Sequence, residues 1–79
     1  MAQIDIKTMH EISKERNTIH DKVSATYTVF EQDGKKYFQI DTYGKDKREI
    51  KGKISQSIQL DKASAKYLIK LLVDEFDLL

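Results

Sequence analysis

The sequence predicts an α+β domain in which four strands precede one C-terminal helix, in the order ββββα. Three observations carry that reading. Asp33-Gly34 lies between two alternating runs, a strong hairpin signal because both central residues of a type I′ turn need positive φ. Residues 50–60 alternate again, with Ile50, Gly52, Ile54, Gln56, Ile58 and Leu60 facing one way. Apolar residues then switch to helical spacing after Asp61, a natural N-cap.

In chain order, residues 3–12 read as the first strand, with Ile4, Ile6, Thr8, His10 and Ile12 on one side. A helical reading competes, because Met9, Ile12, Ile19 and Val23 recur at roughly helical intervals, but only the strand accounts for Ile4 and Ile6. Residues 13–22 are polar and read as a loop with Ile19 as their apolar anchor. The hairpin follows, with strands over 23–31 and 36–43. Pairing outward from the turn sets Val29 opposite Phe38, Tyr27 opposite Ile40 and Ala25 opposite Thr42 on an apolar face. The other face carries Phe30 with Tyr37, Thr28 with Gln39, Thr26 with Asp41 and Ser24 with Tyr43. Residues 44–49 form a polar turn, and the strand over 50–60 has an inexpensive bulge position at Gly52.

The helix spans residues 62–76. Its apolar arc of Ala65, Leu68, Ile69, Leu71, Leu72, Val73 and Phe76 is wider than one sheet covers. Its charges oppose the helix dipole, with Lys62 and Lys66 early and Asp74 and Glu75 late. Each such placement costs about 0.3–1 kcal/mol when exposed. Packing must therefore hold the helix, which points to a homodimer whose interface includes Leu68, Ile69, Leu72, Val73 and Phe76.

Composition bounds the class. Seventy-nine residues make a single domain, 1–79, with a small core that gains much from a partner subunit. At 39% hydrophobic and 34% charged the chain is too apolar for disorder. It has no cysteine, no signal-peptide pattern and no apolar run of membrane-spanning length, so a cytoplasmic, membrane-independent protein is expected. The net charge of +1 hides an asymmetry. Lys45, Lys47, Arg48, Lys51 and Lys53 cluster against Asp46 and Glu49, while the last nine residues hold Asp74, Glu75 and Asp77 with no base. A polyanion footprint and a merely solvated lysine-rich turn both fit this distribution.

Catalysis has little support. Ser55 and Ser57 lie on a strand, with no nucleophile elbow and no His or acid placed beside them by sequence. Asp33, Asp41 and Asp46 are scattered, and His10 and His20 lack metal-ligand spacing, so neither an enzyme nor a metal or cofactor site is expected. Binding has more. If the apolar face packs under the helix, Phe30, Tyr37 and Tyr43 stand on the opposite face among Thr28, Gln39, Asp41, Lys51, Lys53 and Ser55. Rings stack unpaired bases and lysines neutralise phosphates. Two plainer readings compete: Phe30 and Tyr37 as a cross-strand pair that stabilises the hairpin, or the whole face buried in a dimer. Asp41 in mid-face opposes a polyanion unless a base pairs with it.

The order of parts resembles the positive cofactor four family of single-stranded-DNA-binding coactivators, including its short bacterial members. The residues that carry the likeness are Lys36-Tyr-Phe-Gln-Ile-Asp-Thr-Tyr43, the basic turn over 44–53, and Ile58-Gln-Leu-Asp61 leading into the helix. The chain departs from the family at Tyr43, near where a tryptophan is usual, and at Ser57, where a glycine is frequent. The resemblance implies a curved antiparallel β-sheet of about four strands backed by the helix. It also implies a homodimer joined through helices and sheet edges, and binding of single-stranded DNA or RNA in transcription or DNA maintenance. The matching site residues are Lys36, Tyr37, Gln39, Tyr43, Lys45, Lys47, Arg48, Lys51 and Lys53, with Lys14, Arg16 and Lys22 as possible extensions. The main rival is a protein-interaction module or inhibitor that uses the same face or the acidic tail to bind a protein partner.

Overall fold

In the computed structural model, which describes residues 1–44 and 53–79, strands β1 (Ala2–Gln3), β2 (Ala25–Gln32), β3 (Lys35–Tyr43) and β4 (Ile54–Leu60) precede α1 (Lys62–Phe76). The strands form one open sheet in the order β1-β4-β3-β2. The architecture is α+β, ββββα, as expected.

The hairpin forms for the reason its turn suggests. Asp33 and Gly34 take φ of 53° and 77°, the paired positive values of a type I′ turn. Gln32 then opposes Lys35, and the register runs without a slip through Phe30 with Tyr37, Val29 with Phe38 and Tyr27 with Ile40 to Ala25 with Thr42. β4 continues the sheet antiparallel to β3, setting Ile58 opposite Ile40, Gln59 opposite Gln39 and Ser57 opposite Asp41. The register shifts between Thr42 and Tyr43, where Tyr43 opposes Ile54. This bulge stands where β4 begins; Gly52, its expected position, lies outside the described residues.

The first strand departs from expectation. Pairing covers only Ala2–Gln3, with one further bond from Ile4 N–H to the Gln59 carbonyl. The Asp5 carboxylate accepts the Lys7 N–H at 3.0 Å, and the Thr8 N–H reaches the Asp5 carbonyl at 3.2 Å. This local turn takes the backbone groups that a ladder through residue 12 would need, a competition in which aspartate is effective. β1 also runs parallel to β4, so the sheet is mixed and not wholly antiparallel. Residues 9–24 contain no helix or strand.

α1 leaves β4 with Asp61 as its only intervening residue. Asp61 accepts the Ser64 N–H at 2.9 Å while the Ser64 hydroxyl accepts the Asp61 N–H at 3.0 Å, a reciprocal capping box. The far end closes with Asp77 in the left-handed region and the Leu78 N–H on the Val73 carbonyl at 3.2 Å.

The helix does not cover the sheet as expected. Its first residues, Ala63 and Ala65, line an open cleft of about 710 Å³ with Val29, Phe38 and Leu60. Beyond this cleft the apolar face is bare: Tyr27 is 69% exposed and Ile58 43%. Among the described residues no apolar side chain is buried; the buried ones are Asp41, Ser57 and Ser64. The chain exposes 7777 Å², against about 4,900 Å² for a compact monomer of this mass. Its radius of gyration of 14.8 Å likewise exceeds the ~12 Å of a compact chain this long.

The cap yields a pH prediction. The Ser64 backbone N–H, and after it the Ser64 hydroxyl, hold the Asp61 carboxyl below its usual value. A depressed folded pKa gives stability that is present above the unfolded value of 3.8 and lost as pH falls through the folded one. Thermal unfolding followed by circular dichroism should therefore show a drop in Tm below that pH, smaller in Asp61→Asn. Ser64→Ala should cost about 1 kcal/mol at neutral pH.

Candidate nucleic-acid interface

Strand alternation sorts the candidate residues onto two faces. One is apolar: Tyr27 and Val29 on β2, Phe38 and Ile40 on β3, Ile58 and Leu60 on β4. Its rings are already engaged, Tyr27 stacking on Phe38 with centroids 5.2 Å apart. The other face carries Thr26, Thr28 and Phe30, then Tyr37, Gln39 and Asp41, then Ser57 and Gln59. Tyr43 joins it across the bulge, its hydroxyl lying 3.0 Å from that of Thr26. Residues two apart on a strand are separated by about 6.7 Å, so Tyr37 and Tyr43 mark the ends of a track of about 20 Å.

The structure thus gathers Tyr37, Gln39 and Tyr43 on one face and adds Phe30, which stacks on Tyr37 with centroids 5.4 Å apart. Lys36 does not join them. It opposes Glu31 on the apolar side and lines the cleft beside α1, because its parity is that of Phe38. Lys53 is exposed just ahead of β4, at the Tyr43 end of the track. Lys45, Lys47, Arg48 and Lys51 lie outside the described residues. Lys14, Arg16 and Lys22 are exposed on the irregular N-terminal segment.

The middle of this face holds a hydrogen-bonded chain that sequence reasoning missed. Gln59 Nε2 donates to Gln39 Oε1 at 2.7 Å, and Gln39 Nε2 donates to Asp41 Oδ1 at 2.9 Å. Ser57 Oγ donates to the same carboxylate oxygen. Asp41 is only 5% exposed, so this charge is turned into the sheet and held by neutral donors. The signal that could have found the chain is the β3–β4 register, which sets Gln39 beside Gln59 and Asp41 beside Ser57. Two hollows flank it, one of about 220 Å³ bounded by Gln3, Phe30, Tyr37 and Gln59, the other of about 290 Å³ against Met1, Gln39 and Ser57.

The proposed interface residues on α1 divide. Leu68 and Val73 are half-buried, whereas Ile69 is 63%, Leu72 46% and Phe76 68% exposed. Spaced by four and then three along the helix, Ala65, Ile69, Leu72 and Phe76 form a seam suited to another helix. Among the described residues no group of three His, Cys, Asp or Glu side chains is placed to hold a metal, and no helix is long and apolar enough to cross a membrane. Comparison with known proteins gives no matching family model, no matching curated protein and no matching solved structure.

Proposed function

We propose that the chain is a non-enzymatic single-stranded nucleic-acid-binding protein that works as a homodimer. The observation that carries the binding half is the segregation of Phe30, Tyr37 and Tyr43, with Gln39, Gln59 and Thr28, onto the face away from the apolar one. Unpaired bases stack on such rings, and side-chain amides and hydroxyls satisfy their edges. Asp41 does not defeat this reading, because its Oδ1 accepts from Gln39 and Ser57 and the residue is only 5% exposed. Cationic contacts to phosphate fall to Lys53 and to Lys45, Lys47, Arg48 and Lys51.

The dimer half rests on the bare apolar surface. Tyr27, Val29 and Ile58 on the sheet and Ile69, Leu72 and Phe76 on α1 are exposed, apolar surface of the kind that obligate subunit interfaces bury. A second copy laid antiparallel along α1 would pair the two seams. It would also bring Lys62 and Lys66 of one protomer toward Asp74, Glu75 and Asp77 of its partner, offsetting their poor placement in the helix dipole. The same surface supports a second reading, a protein-interaction module whose partner covers the cleft between α1 and the apolar face.

Two measurements separate these readings. Sedimentation at micromolar concentration should give twice the chain mass of 9.2 kDa, and Ile69→Glu should lower it; a clean wild-type monomer contradicts the dimer. Fluorescence polarisation should show binding to single-stranded oligonucleotides that falls steeply with salt, with a log–log slope shallower by about 0.7 for each phosphate-contacting lysine removed, as in Lys53→Ala. Affinity for a polypeptide that survives high salt, with none for oligonucleotides, supports the second reading.

A further inference from the structure

The hydrogen-bonded chain on the polar face fixes the orientation of an amide at a hollow. A carboxylate only accepts, so Asp41 obliges Gln39 to turn its NH₂ inward and its carbonyl oxygen toward β4. That oxygen takes one amide hydrogen of Gln59. Gln59 lines the hollow with Gln3, Phe30, Gln32, Asp33 and Tyr37, and keeps its own carbonyl oxygen and a second amide hydrogen for a ligand. The aromatic wall is braced as well, since Phe30 and Tyr37 stack on each other. The hollow therefore joins a ring wall to a pre-oriented donor–acceptor pair, in a space of about 220 Å³ suited to one planar heterocycle.

We infer that this hollow receives a single unpaired nucleobase, packed against the Phe30–Tyr37 wall with its pairing edge on Gln59. The inference rests on the nucleic-acid reading and deepens it. Every base carries an adjacent donor and acceptor on its pairing edge, so Gln59 registers that a base is present and not which one. A phosphate diester has no proton to give the Gln59 carbonyl, and the Asp41 charge lies at the root of the chain, so the hollow selects bases and turns the phosphates outward. Duplex is excluded for the same reason: its pairing edges are already occupied.

The test uses the full chain, a short mixed-sequence single strand and a matched strand of abasic residues, with Kd measured by fluorescence anisotropy at fixed salt. The wild type should prefer the base-bearing strand by at least about 5-fold, since stacking alone is worth that much per base. Gln59→Leu should shrink this preference, by about 5-fold if both of its bonds to the base are lost, and leave the abasic strand unaffected. If Gln59→Leu fails to fold by circular dichroism, Tyr37→Leu takes its place with the same expected pattern. A variant that leaves the preference intact, or weakens both strands equally, overturns the inference. Equal wild-type affinity for both strands also overturns it, while leaving a phosphate-driven binder standing. No binding to either strand removes the nucleic-acid reading itself.

Discussion

A four-stranded sheet with one apolar face must cover that face, and a fifteen-residue helix that departs from the edge of β4 does not reach across it. The rest of the structure depends on that mismatch. Burial of apolar surface is the main term that offsets the conformational entropy lost on folding. Here Tyr27, Val29, Ile40 and Ile58 on the sheet and Ile69, Leu72 and Phe76 on the helix remain in contact with solvent. The described residues have well-formed local structure, with a closed hairpin, a reciprocal helix cap and paired strands, yet among them no apolar side chain is buried.

The hairpin turn decides which face of the sheet is apolar. Because Asp33 and Gly34 admit the positive φ of a type I′ turn, the strands pair with no slip, and Phe38 and Ile40 fall on one side while Tyr37 and Gln39 fall on the other. A shift by one residue would exchange the two sets. The apolar face and the polar aromatic face are thus two consequences of one local choice. Association on the first would leave the second open to a ligand, which is why the oligomeric state and the binding reading are linked.

Much of this was legible in the sequence, and the failures have physical causes. The turn, the hairpin register and the Asp61 cap are local, so residue type and spacing sufficed. The first strand failed because Asp5 offers its backbone neighbours a turn, and because the pairing of Ala2–Gln3 with β4 joins segments far apart in sequence. Lys36 was named only through the family resemblance; simple alternation sets it on the side of Phe38, away from Tyr37 and Gln39. The chain from Gln59 to Asp41 stayed hidden because it needs the β3–β4 register, which residue spacing alone does not set. The helix was placed correctly along the sequence, but how little of the sheet it would cover depends on its exit angle, which no residue pattern encodes.

The proposed dimer would complete the apolar face with a second copy and make folding and association one event. The most direct test is the thermal unfolding midpoint measured across a hundredfold range of protein concentration, roughly from micromolar upward. Coupled folding and dimerisation predict a Tm that rises steadily with concentration and a single cooperative transition. A sharp transition whose midpoint stays constant over the whole range would show that one chain folds alone, and would contradict the account.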